Sequence, residues 1–268
     1  MVHSVHLKDQ EVLIQYTWQG NGDKTLFTFH GFGQSGVAMY PIGEAFRDEY
    51  RTCHIDIFYH GKSYWKESLG PLTKDQWATI FHSILEKEGI SRFDIAAFSM
   101  GGKFLLSTVE SMPEKIDQLF FIAPDGIKTS KWYSLASYPI LFRNYFRSMI
   151  VRPWRFFSLM HLLQRLGLLD KGLAKFAATQ MDTRRKRRRV YYSWVMFRKL
   201  RFDKKRIARQ INDYGIKCHF YIGRYDKIIT PEGMKKLTRY LNTYDMQLLE
   251  SGHNQLIRAT ADAQGAKK

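Results

Sequence analysis

The sequence predicts an α/β fold, a mostly parallel central sheet flanked by helices. Three observations predict it. Short, nearly continuous apolar runs recur along the chain, as in TLFTFH at 25–30 and CHIDIFY at 53–59, and strands buried on both faces read that way. Segments of helical spacing separate these runs, and such alternation makes a sheet covered on both sides. Turn and capping residues mark the junctions.

The elements follow in order. Val12 to Trp18 alternates as a strand and closes at Gly20-Asn21-Gly22, a turn signal. Thr25 to His30 is a strand, Gly36 to Tyr50 has helical spacing, and Cys53 to Tyr59 is a strand again. Thr73-x-x-Gln76 is a capping pattern, followed by Trp77, Ile80, Phe81, Ile84 and Leu85 at helical spacing. Phe93 to Phe98 is a strand that leads into a helix ending near Met112, and Gln118 to Ala123 is a strand that stops at Pro124. Lys217 to Gly223 and Met246 to Leu249 complete the strands, and a helix follows Asn254. Between the last two strands, Thr230-Pro231-Glu232 supplies an N-cap, a proline at the first helical position and an acid in the first turn.

Charge divides the chain into two parts. Residues 127–212 hold 22 Lys and Arg against Asp170, Asp182 and Asp203, a net +19. The remainder holds 20 basic and 22 acidic residues, a net −2. Such asymmetry predicts two structural units, a core of 1–126 with 213–268 and a basic helical segment of 127–212. The 268 residues are 44% hydrophobic and 15% aromatic, which excludes a disordered chain. Two cysteines exclude a disulfide scaffold and a cysteine-built metal site. Cys53 and Cys218 fall in expected strands and read as small buried hydrophobes. The longest stretch free of charged residues, Thr25 to Gly43, carries four glycines and a proline and is no membrane span. The first residues lack an apolar signal segment, so a cytoplasmic protein is expected.

Chemistry in a parallel sheet sits at the carboxyl ends of its strands, and three sets of unusual residues fall there. In Ala97-Phe98-Ser99-Met100-Gly101-Gly102 a serine occupies a strand-to-helix turn, with small residues two before and two after it. His30-Gly31-Phe32-Gly33-Gln34-Ser35 follows the second strand, and its glycines let backbone approach a substrate. Gly223-Arg224-Tyr225-Asp226 and Ser251-Gly252-His253-Asn254 follow the last two strands. A serine hydroxyl needs a base and the base an orienting carboxylate; Ser99, Asp226 and His253 supply them.

With these motifs the chain resembles the α/β-hydrolase fold family from about Val12 to Ile257. HGFGQS at 30–35, DIFYHGKS at 56–63, AFSMGG at 97–102, GRYDKIITP at 223–231 and SGHNQ at 251–255 stand in the family's order. Ala97 departs from the glycine of G-x-S-x-G. The resemblance implies Ser99 as nucleophile, His253 as base, Asp226 as acid, and the backbone amides of Phe32 and Met100 as the oxyanion hole. It also implies a cap inserted after the family's sixth strand, where the basic segment lies. Serine at the elbow speaks against the dehalogenase and epoxide-hydrolase branches.

Plainer readings stand beside these. Ser99 also suits a helix N-cap, and Asp125 in IAPDG is a rival for the acid. Asp56 and His60 read as loop-bracing residues. The remaining histidines, at 3, 6, 54, 82, 161 and 219, show no metal spacing. The run Arg184 to Arg189 reads as a solvated helix face before a nucleic-acid site. In the basic segment, Leu141, Tyr145, Met149, Phe142, Phe146 and Ile150 form one stripe, and Phe156, Phe157, Leu159, Met160, Leu162, Leu163 and Leu166 another. Packing of these stripes into a lid is one expectation. Peripheral contact with an anionic membrane, or arginines turned toward an anionic substrate, are others. The expected function is a serine hydrolase of a small-molecule carboxylic ester or thioester, needing no cofactor or metal. Acyl transfer or lyase chemistry on the same triad, and a non-catalytic membrane-associated binding protein, are the alternatives.

Overall fold

The computed structural model describes residues 2–7, 11–127, 131–168 and 171–266. Strands β1 (Val2–Leu7), β2 (Val12–Gln19) and β3 (Lys24–Phe29) come first, then α1 (Tyr40–Ala45), β4 (Tyr50–Ile55) and β5 (Tyr64–Trp65). They are followed by α2 (Lys74–Glu88), β6 (Phe93–Phe98), α3 (Gly102–Ser111) and β7 (Ile116–Ile122). Next come α4 (Lys131–Ser137), α5 (Ile140–Ser148), α6 (Trp154–Arg165), α7 (Lys171–Met181), α8 (Arg184–Met196) and α9 (Lys204–Asp213). The last elements are β8 (Lys217–Gly223), α10 (Pro231–Thr238), β9 (Asp245–Leu249) and α11 (Leu256–Gly265).

The strands form one sheet in the order β1-β2-β4-β3-β6-β7-β8-β9, with β5 paired to β2. Pairings from β4 through β9 are parallel, and those of β1, β2 and β5 are antiparallel. The expected mostly parallel sheet is therefore present. From β3 the chain crosses to β4 on one side and later returns to β6 on the other. Such a reversal opens a crevice at the carboxyl ends of β3 and β6.

The local reasons match the residues. Helix α2 starts at a capping box in which the Thr73 side chain accepts from Gln76 N and the Gln76 side chain accepts from Thr73 N. It ends at Gly89, whose left-handed φ of +66° suits glycine. Its buried residues are Trp77, Ile80, Phe81, Ile84 and Leu85, the five that the spacing picks out. The Trp77 ring meets Phe104 of α3 edge-on at 4.8 Å, and its indole N–H donates to Thr108 Oγ1 at 3.0 Å. Leu26, Phe27 and Phe29 of β3 and Ile95, Ala96 and Ala97 of β6 are fully buried. Each large side chain so buried contributes about 1.5–3 kcal/mol.

Three details differ from the sequence reading. Strands β1 and β5 were not foreseen, because β1 buries little beyond Val5 and β5 has two residues. The third expected strand, Cys53 to Tyr59, lies earlier, at Tyr50–Ile55. Ile57 and Phe58 are buried in a loop, so their apolar character imitates a strand.

The chain divides into two compact units, Met1–Lys128 with Leu200–Lys268, and Thr129–Lys199. Helix α9 belongs to the first, where it packs on α3 and α10. The second holds α4–α8. In it Phe146 of α5 contacts Tyr191 and Trp194 of α8, with ring centroids at 5.4 and 5.7 Å. The Tyr133 hydroxyl of α4 donates to the Trp194 carbonyl at 2.9 Å. The foreseen stripe of α5 packs only in part. Phe146, Met149 and Ile150 are buried, whereas Leu141, Phe142 and Tyr145 are exposed. The basic run also differs from a uniform solvated face. Arg187 is buried, and its guanidinium donates to the carbonyls of Ile150, Met181 and Asp182 at 2.9–3.0 Å.

Candidate active site

Strand β6 ends at Phe98, and the chain turns through Ser99–Gly101 into α3. Ser99 has a φ of +48°, a left-handed conformation that costs a residue with a side chain roughly 1–3 kcal/mol. The turn is this tight because its neighbours are small. A Cβ on Gly101 would lie 2.3 Å from the Phe29 carbonyl oxygen, and one on Gly102 2.5 Å from that of Asp125. Ala97 fits where the family pattern has glycine; it is fully buried in the sheet.

Asp226 follows β8 and His253 follows β9. A Cβ on Gly223 would lie 2.4 Å from the Ser251 carbonyl oxygen, so glycine lets the two following loops close together. Arg224 N donates to Leu249 O at 2.8 Å and Tyr225 N to Ser251 O at 3.1 Å. This backbone zipper presents Asp226 to His253. Asp226 Oδ2 lies 2.6 Å from His253 Nδ1, and Oδ1 accepts from the amides of Ile228 and Ile229 at 2.8 and 3.0 Å. A carboxylate only accepts, so His253 carries its proton on Nδ1. Its Nε2, 3.0 Å from Ser99 Oγ, is then the acceptor of the serine proton. The Asp226 carboxylate is fully buried, and the His253 side chain is 12% exposed with its ring 4.9 Å from that of Phe98. Ser99, His253 and Asp226 thus form one hydrogen-bonded chain, the arrangement that turns a serine into a nucleophile.

Asp125 stands elsewhere. Its carboxylate takes the Gly126 amide at 2.7 Å and lies 3.3 Å from Lys103 Nζ, while its own amide donates to Ser99 O at 2.7 Å. It braces the elbow rather than the imidazole. Lys103, four residues past the serine and buried, was not singled out in the sequence; a lysine on an otherwise apolar helix face was its one signal.

Phe32 lies in the loop after β3, beside the elbow. Phe29 is in register with Ala97, and a Cβ on Gly31 would stand 2.7 Å from the Phe98 ring. Gly31 N donates to Gln34 Oε1 at 2.9 Å and Gly33 N to His60 Nε2 at 2.9 Å. His60 therefore holds its proton on Nδ1, which donates to Phe58 O at 3.0 Å. By the same logic His30 accepts from Ile57 N at Nε2 and donates from Nδ1 to Gly31 O. Asp56 accepts from Gly36 N at 2.7 Å and Lys62 N at 3.2 Å, and Ser63 Oγ from Gln15 N at 2.8 Å. Asp56 and His60 thus brace the loop of 30–36, and Ser63 ties their own loop to β2. Met100 is the residue after Ser99, in the first turn of a helix, where backbone N–H groups lack intrahelical partners. Backbone donors on two such braced loops can stabilise negative charge developing at a carbonyl oxygen.

Cys53 and Cys218 are free and buried. Burial raises both thiols, that of Cys218 to about 12, so neither is a ready nucleophile. Among the described residues no group of histidine, cysteine and carboxylate side chains has the arrangement of a metal site. Among them, too, no helix is long and apolar enough to cross a membrane.

A family model for the alpha/beta hydrolase fold matches residues 24–260. No curated protein sequence matches the chain. Similar solved structures include a probable hydrolytic enzyme from Pseudomonas aeruginosa PAO1, 16% identical with a TM-score of 0.70 over 100% of this chain and 93% of that one. Naproxen esterase from Bacillus subtilis is 15% identical with a TM-score of 0.64, over 100% and 90%. The thioesterase domain from the curacin biosynthetic pathway is 15% identical with a TM-score of 0.63, over 99% and 98%. At these identities the likeness is one of fold.

Proposed function

We propose that the chain, which belongs to the α/β-hydrolase fold family, is a serine hydrolase that cleaves a small-molecule carboxylic ester or thioester through an acyl-enzyme. The hydrogen-bonded chain from Ser99 through His253 to Asp226 is the observation that carries this reading. Ser99 Oγ attacks the acyl carbon as His253 Nε2 takes its proton. Asp226 keeps the imidazole in the Nδ1–H tautomer and stabilises the imidazolium. The tetrahedral oxyanion is held by the amides of Phe32 and Met100. Collapse expels the alcohol or thiol, which takes the proton back from His253. Water then attacks the acyl-enzyme with His253 again as base, releasing the acid and Ser99. No metal or organic cofactor enters these steps.

The esterase and thioesterase names of two similar folds support the same bond class for this chain. A series of p-nitrophenyl esters and matched thioesters of rising acyl length tests the reading. Turnover with release of free acid, lowered roughly a millionfold by Ser99→Ala, is the expected result. Turnover unchanged by Ser99→Ala contradicts it. Acyl transfer to an alcohol or amine in preference to water moves the reading to acyltransferase chemistry.

A further inference from the structure

Helices α5 and α6 leave apolar side chains in solvent. Leu141 is 75% exposed, and Trp154 and Leu166 are each 60% exposed. Helix α6 already has a packed side, with Met160 buried and Phe156, Phe157 and Leu163 half-buried. The opposite side of an amphipathic surface helix is normally polar. Here it carries Trp154, Leu162 and Leu166. Single exposed leucines need no explanation, but a run of them on neighbouring helices marks a surface that meets something.

The charges on this segment narrow the chemistry of an occupant. Residues 135–168 hold five arginines and no Asp or Glu. Arg147, Arg152 and Arg165 are exposed among the apolar side chains. Arg155 joins the two helices: its guanidinium lies 5.6 Å from the Tyr145 ring and 5.5 Å from the Trp154 ring. The whole unit of 129–199 has 16 Lys and Arg against two Asp, a net +14. A second copy would bring the same positive charge to this face and be repelled. Interfacial helices combine Trp, Tyr and Leu with arginine in this way, seating apolar groups at the acyl boundary and guanidinium groups among phosphates.

We propose that the exposed face of α5 and α6 docks the protein peripherally on an anionic lipid bilayer. Docking there does not draw on Arg187, which is internal. It needs no catalytic residue, so Ser99→Ala protein is expected to bind as the parent does.

Flotation of the full chain with vesicles of phosphatidylglycerol and phosphatidylcholine in equal parts tests it. Binding that weakens with salt and is absent on phosphatidylcholine alone is expected. Arg147→Gln with Arg152→Gln and Arg165→Gln should lower partitioning roughly a hundredfold at low salt. Trp154→Ser with Leu162→Ser and Leu166→Ser should lower it at least about tenfold, with an unchanged melting temperature. Quenching of Trp154 fluorescence by brominated phosphatidylglycerol, lost in Trp154→Phe, reads the same contact without the triple variants. Three results overturn the proposal: no flotation with anionic vesicles, flotation that the apolar variant keeps in full, or an unquenched Trp154. A dimer that the apolar variant splits, with no flotation, would assign the face to a second copy instead.

Discussion

Asp226 and Asp125 both follow strands near Ser99, and their partners separate their roles. Asp226 meets His253 Nδ1 at 2.6 Å, whereas Asp125 lies 3.3 Å from Lys103 Nζ. Asp226→Asn is expected to lower kcat by about ten-thousandfold through loss of the Nδ1–H tautomer. Asp125→Asn should cost far less. Steady-state hydrolysis of one activated ester by both variants checks the ranking. His54 gives a second residue-level expectation. Burial holds it down at about 4, with Nδ1 taking the Thr28 hydroxyl at 2.8 Å and Nε2 lying 2.9 Å from Gln19 Oε1. The unfolded chain binds a proton at pH values where the folded chain does not, so the neutral form's stability is whole above about 6.5 and is lost as pH falls toward 4. A loss of about 3 kcal/mol across that window is expected. Urea unfolding as a function of pH should show this slope, and His54→Gln should flatten it. The sequence showed that Asp226 and His253 end strands in recognised motifs. GRYDKIITP already favoured Asp226 over Asp125 in the sequence; the Gly223–Ser251 approach that closes the two loops together, between residues 28 positions apart, is what no local pattern encodes.

At the scale of elements, Arg187 shows how a charge run misleads. Three carbonyl acceptors near the ends of α5 and α7 converge on a guanidinium of α8. Such carbonyls lack helical partners and need donors. Arg187→Ala is expected to destabilise the 129–199 unit by about 3 kcal/mol. Arg184→Ala, at an exposed position of the same helix, should change it by less than about 0.5 kcal/mol. Denaturant unfolding followed by tryptophan fluorescence distinguishes them. Helices with a single apolar face were legible: α2 buries the five residues its spacing selects. Helix α5 was legible as a helix, but its apolar stripe is shared between packing and solvent. Periodicity reports which side is apolar and is silent on what covers it. The short strand β5 and the edge strand β1 escaped because pairing with β2, not their own alternation, makes them strands.

At the scale of the whole molecule, the sheet order explains why distant motifs meet. The reversal between β3 and β6 sets the loop of 30–36 against the elbow at Ser99, and β8 and β9 bring Asp226 and His253 to the same edge of the sheet. Five short motifs spread over more than 220 residues carried this architecture in the sequence, since each is a strand-end turn that glycine or another small residue permits. The substrate left no comparable mark, because the proposed chemistry would need only a carbonyl and a leaving group. The central claim is that Ser99 is the activated nucleophile, and covalent trapping tests it most directly. Incubation of the native chain with a fluorophosphonate, followed by peptide mass spectrometry, is expected to place one phosphonyl group on Ser99. Ser99→Ala should abolish the adduct. An adduct on another residue, or labelling that survives Ser99→Ala, would contradict the account.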